Sequence, residues 1–154
     1  MADERDRLGS SGVFKAIVDG ARAVKRALSE GDGSLSPELH EVGTKIAQAF
    51  IANRFADVHA MSATTLKQTI AVDRFVASWR DAVDGRGPFT GFEISNAGDI
   101  DLAFIPSLED VPQAKFVAFL EIAFSNPQQE DAFTIGAVLL TDGGQVRVGA
   151  LHAR

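Results

Sequence analysis

A carboxylate near an imidazole is a common device for moving a proton at neutral pH, because the imidazole titrates close to it. The stretch FADVHAMS, residues 55–62, carries such a pair in Asp57 and His59. The two could act as base and acid. The structural alternative is that Asp57 caps a turn and His59 bonds a backbone group. Glu121 is the second candidate, since it interrupts the otherwise apolar run KFVAFLEIAFS, and a buried carboxylate must either pair or take up a proton. Arg147 is its expected partner, in a structural or dimer-interface ion pair; a catalytic acid is the alternative. Trp79, the single tryptophan, shares helical spacing with Val72, Phe75 and Val83. It reads as a core residue whose ring could also border a ligand. Phe55, His59, Trp79 and Glu121 are therefore the expected ligand-lining residues, with His59 and Glu121 the catalytic alternatives. His152, near the end of the sequence, is expected to be exposed.

Other chemistries find little support. His40, His59 and His152 show no metal-ligand spacing, and the absence of cysteine removes thiolate sites and disulfides. Neither a metal nor a cofactor is expected. The glycines of GSSG and DGRGPFTG lack the strand, lysine and helix context of a phosphate loop, and Ser10 and Ser11 lie in a polar arm with no ordered base nearby. A net charge of -6 argues against a nucleic-acid surface. The basic stretch ARAVKRAL, with Arg22, Lys25 and Arg26, reads as a solvated helix face. No apolar run reaches membrane-spanning length and the first residues lack a secretory core, so no membrane partner and a cytoplasmic location are expected.

The elements that must position these residues divide the chain in two. A total of 154 residues, 45% hydrophobic and including eleven Phe, suits one domain over residues 13–154 behind a loose arm over 1–12. Phe14, Ile17, Ala21, Val24 and Leu28 recur at helical spacing. Ser36-Pro37-Glu38 starts a second helix with the stripe Leu39, Val42, Ile46, Ala49 and Phe50, ending near Asn53. Ser62 is expected to cap a short turn, before a third helix through Val72, Phe75, Val76, Trp79 and Val83. After Pro88 the pattern predicts strands over 89–95, 100–105, 115–125, 132–141 and 145–152, with turns at 96–99 and 141–144. The last three strands are expected to be antiparallel neighbours. In the third, Phe116, Ala118, Leu120, Ile122 and Phe124 take one face and Val117, Phe119, Glu121 and Ala123 the other. Because the helices can cover one face only, a second subunit is the expected cover for the other.

Three helices, a tryptophan late in the third, a glycine-punctuated exit and a sheet ending GQVRVGALHAR resemble the nuclear transport factor 2-like superfamily. The stretch IANRFADVHAMSATTLKQTIAVDRFVASWRDAVDGRGPF is similar to small bacterial domains of unknown function with that fold. The resemblance covers about residues 13–152. It implies an α+β, cystatin-like cone in which three N-terminal helices pack on a curved, mainly antiparallel sheet, with a pocket between sheet and helices and a homodimer built sheet against sheet. The fold hosts isomerases, dehydratases, cyclases and epoxide hydrolases as well as binders. The phenol of ketosteroid-isomerase-like sites is missing, because the chain has no tyrosine. Asp99 and Asp101 have no matching strand arginine for an epoxide-hydrolase-like site. The expected function is thus binding of a small hydrophobic molecule or a protein partner, with a proton-transferring isomerase, dehydratase or cyclase as the alternative.

Overall fold

The computed structural model describes residues 35–154; the arm over 1–12 and the helix expected over 13–28 lie outside the described residues. Among the described residues, four helices lead into a four-stranded antiparallel sheet. Helix α1 spans Pro37–Ile51. Its start follows from local chemistry: the Ser36 hydroxyl accepts the Leu39 N–H at 3.2 Å, Pro37 sits where its missing N–H costs nothing, and Glu38 lies in the first turn. Ile46, Ala47, Ala49 and Phe50 form its buried stripe. Asn53 then adopts a left-handed backbone, φ 59°, and the Arg54 N–H bonds the Ala49 carbonyl at 2.7 Å, which turns the chain into α2, Phe55–Ala60.

Helix α3 covers Thr64–Thr69 and α4 covers Val72–Val83, the latter burying Phe75 and Trp79. Ser62 is not a helix cap. Its hydroxyl donates to the Val58 carbonyl at 2.8 Å, and residues 61–63 run alongside Val148 in a short parallel bridge. The Ala63 N–H bonds the Val148 carbonyl at 2.7 Å, so this connection occupies part of an outer sheet edge.

The strands are β1, Gly91–Gly98; β2, Phe116–Asn126; β3, Gln129–Asp142; and β4, Gln145–Ala153. They pair in the order β1-β2-β3-β4. The last three are antiparallel neighbours, and the β3–β4 hairpin closes through Gly143 and Gly144, whose φ values of 63° and 79° are those a two-residue turn of matching twist requires. One predicted strand is absent. Residues 100–105 instead form a 3-10 turn at Leu102–Phe104 within the long β1–β2 connection.

The nuclear transport factor 2-like, cystatin-like cone is not what forms. The sheet is open and uncurled, with β1 and β4 at opposite edges. The space between helices and sheet is filled by aromatic rings. Phe50 lies 5.0 Å from Phe55, 5.2 Å from Trp79 and 5.6 Å from Phe124, and Phe89 stacks on Phe124 and Phe133. The rings thus occupy the position at which the cone would hold its pocket.

The second face of the sheet is covered in part by the chain itself. Ile100, Leu102, Ile105 and Leu108 from the β1–β2 connection bury Phe119, Val138 and Leu140. Part of the apolar face attributed to a second subunit is therefore intramolecular. A register shift between Phe116 and Ala118 also breaks the simple alternation of β2: Phe116 packs with this second cluster, whereas Ala118, Leu120, Ile122 and Phe124 face the helices.

Candidate functional site

The residues singled out by type do not converge on one cavity. Phe55 and Trp79 meet around Phe50 in the aromatic core. His59 joins that core only at its edge, with its ring 5.2 Å from that of Phe75. Its Nε2 lies 2.8 Å from the Ile70 carbonyl; since a carbonyl only accepts, Nε2 carries the proton and donates. The imidazole thereby ties α2 to the linker between α3 and α4. Asp57 faces the other way and pairs with Arg54 at 3.4 Å.

Glu121 stands on the far side of the sheet from these groups. Its Oε2 accepts from Arg154 at 2.6 Å, with both side chains largely shielded from water. Arg147, the partner expected from sequence, instead stands opposite Leu140 in the sheet and bonds Gln145. The register explains the exchange: Glu121 pairs with Gly136 and Gly136 with His152, which brings the end of β4 rather than its start beside the acid. His152 lies stacked on Phe119 at 6.0 Å rather than fully exposed, and burial, reinforced by the neighbouring Arg154 charge, holds its pKa down to about 4.

A different group of side chains does share a cavity. Helix α1 contributes Val42, Lys45, Gln48 and Ala49, the turn and α2 contribute Arg54 and Asp57, and the start of β4 contributes Val146 and Arg147, with Met61 between them. The cleft has a volume of about 410 Å³, within the range of small-molecule sites. Val42, Ala49, Met61 and Val146 are its apolar lining residues, and Lys45, Arg54 and Arg147 line it together with the carboxylate of Asp57 and with Gln145, to which Arg147 donates. The lining itself thus carries more positive than negative charge, while Glu41 beside Lys45 and Asp142, whose carboxylate feels the Arg147 charge, offset it from outside the lining.

The cations already have modest partners. Lys45 lies 3.6 Å from Glu41 on the same helix, and both are mostly exposed, as are Arg54 and Asp57. Such surface pairs contribute little, at most about 1 kcal/mol, so an entering anion can exchange for them at low cost. A second cleft of about 490 Å³, between the ends of α1 and α4, carries Arg80 and Asp84 of opposite sign and so no comparable excess.

Sequence reasoning missed this site because its members lie in three elements, none of which looks unusual alone. From the sequence, Asp57 reads with His59 and Arg147 with Glu121, and Lys45, lying off the buried stripe of its helix, carries no signal of its own. Among the described residues, no cluster of three or more His, Cys, Asp or Glu is placed to hold a metal, and no helix is long and apolar enough to cross a membrane. Comparison with family models, curated proteins and solved structures finds no match for this chain.

Proposed function

We propose that the protein is a binding module whose cleft between α1, α2 and β4 takes a small amphipathic anion, an apolar group bearing a carboxylate, and does not transform it. The observation that carries this reading is that Lys45, Arg54 and Arg147 line one cleft with Val42, Ala49, Met61 and Val146. An apolar chain gains by leaving water for those apolar residues, and its carboxylate gains charge-assisted hydrogen bonds from the guanidinium groups. The proton-transfer alternative draws less support, because His59 is held by the Ile70 carbonyl and Asp57 by Arg54.

Calorimetric titration with octanoate, octanol and octylamine tests the reading. At about 0.5 kcal/mol per non-hydrogen atom, octanoate is expected to bind with a Kd of about 0.1–1 mM. Octanol should bind more weakly and octylamine not at all. Arg147→Gln and Arg54→Gln should each weaken octanoate about fivefold, which corresponds to roughly 1 kcal/mol per lost charge. Equal affinity for octanoate and octanol, or no binding of either, would refute it.

A further inference from the structure

The β1–β2 connection presents an aromatic side chain to solvent on a fixed platform. Phe104 is 59% exposed, the larger and more exposed of the two large hydrophobic side chains displayed among the described residues, the other being Val72. Single exposed hydrophobic residues are ordinary, but here the backbone beneath is fastened from several directions. Gln113 accepts the Leu102 N–H at 2.8 Å and donates to the Ile100 carbonyl at 2.9 Å, Asp101 accepts the Ala103 N–H at 3.0 Å, and the Ile105 N–H bonds the Leu102 carbonyl at 3.0 Å. Ile100, Leu102, Ile105 and Leu108 anchor the underside. Three residues beyond Phe104, Ser107 holds φ at 76°, a conformation that costs a non-glycine residue energy and that recurs at functional loops. Little ordering entropy remains to be lost when such a side chain is bound. Asp101, Glu109 and Asp110, all exposed, give the loop a negative rim.

An apolar group beside carboxylates is what the cationic cleft is suited to hold. The loop packs on the face of the sheet opposite the helices, whereas the cleft is walled by α1, α2 and the start of β4. We propose that Phe104 of one copy of this chain enters the cleft of a second copy, with Asp101 meeting the cations Lys45, Arg54 and Arg147. This rests on the reading of the cleft given above. The contact joins two different surfaces, so copies add head to tail and either extend or close into a ring. It competes with a small amphipathic anion for the same cleft.

Sedimentation equilibrium of the full chain over about 10 µM to 1 mM is the test. For the wild type, the weight-average mass should rise with concentration above the 16.4 kDa of the monomer, and about 0.5 M salt, which shortens the reach of the charges, should reduce it. Phe104→Ser removes the knob and Arg147→Glu spoils the cleft; both positions lie at the surface, and circular dichroism confirms that each variant is folded. Each variant alone should remain monomeric. Mixed in equal amounts, they retain one good cleft and one good loop between them and should form a dimer that grows no further. A wild type that stays monomeric throughout, a single variant that still associates, or a mixture that stays monomeric would each overturn the proposal. Octanoate binding to Phe104→Ser, whose cleft is intact, separates the two readings: if association behaves as described and that binding is absent, the small-ligand reading alone is lost.

Discussion

Replacing Gly136 by alanine tests how tightly the far face of the sheet is built. Gly136 lies in a row formed by Ser95, Glu121, Gly136 and His152 across the four strands, and the His152 ring lies over it. A Cβ on Gly136 would fall 2.5 Å from His152 Cε1 and 3.0 Å from Phe119 Cε1. Phe119 is fully enclosed and cannot yield, so the imidazole near the end of β4 must swing outward. The packing cost is about 1–3 kcal/mol.

The displaced ring also changes its titration. Burial first, and the Arg154 charge second, hold His152 at about 4 against an ordinary 6.5. Between those values the unfolded chain binds a proton that the folded chain refuses, so stability is complete above pH 6.5 and falls as the pH drops towards 4. The gap is worth at most roughly 3 kcal/mol, reduced by the water contact the ring retains. In Gly136→Ala the imidazole should titrate close to 6.5, and this acid sensitivity should shrink. Proton resonances of the His152 ring, assigned with His152→Gln, report the first effect. Urea unfolding followed by Trp79 fluorescence on either side of that pH window reports the second. A wild-type His152 that titrates near 6.5, or a variant whose imidazole still titrates near 4, would refute the reasoning.

Further perturbations probe other parts of the fold. Phe50→Leu retains most of the volume but loses edge and stacking contacts with Phe55, Trp79 and Phe124; at about 0.5–1 kcal/mol per pair the loss is about 2 kcal/mol, a fall of about 1 M in the urea midpoint. An unchanged midpoint would contradict the aromatic packing. Gln113→Ala strips partners from the Leu102 N–H and the Ile100 carbonyl and should cost about 2–3 kcal/mol, with accelerated hydrogen exchange at Leu102 as its local signature. Asp142 accepts the Thr64 N–H and hydroxyl at 2.8 and 3.0 Å, and these bonds hold its pKa below 3.8. Its contribution is therefore present above that pH and lost as the pH falls through the lower folded value, so Asp142→Asn should melt earlier at neutral pH, and the two melting temperatures should converge in strong acid.

Helices α1 and α4 could be read from the sequence because their signals are local, whereas α2 and α3 form where only a connector with a short turn is expected. Ser36-Pro37-Glu38 favours a helix start through contacts within one turn, and Phe75, Val76, Trp79 and Val83 turn one face to the core, with Val72 at the helix start left exposed. The β3–β4 hairpin was equally legible, since its two glycines determine the turn. The segment 100–105 misled for a physical reason. Ile100, Leu102 and Phe104 alternate as a strand would, yet the segment buries Ile100, Leu102 and Ile105 around a 3-10 turn and leaves Phe104 exposed, with Gln113 supplying hydrogen bonds that a neighbouring strand would otherwise provide.

The candidate site lay beyond such reading. Nothing near Lys45 in the sequence announces Arg147, and nothing near Glu121 distinguishes Arg147 from Arg154 as its partner; a shift in strand register exchanges one for the other. The curl of the sheet was out of reach for the same reason. Whether edges approach or stay apart depends on how large side chains such as Phe50, Phe124 and Phe133 fill the space between layers. The sequence by itself determined the order of helices followed by an antiparallel meander, because backbone period and turn chemistry act between residues a few positions apart. Only the tertiary structure decided that the sheet stays open, that the β1–β2 connection covers part of its second face, and that three cations line one cleft, because those outcomes rest on packing and register between residues distant in the chain.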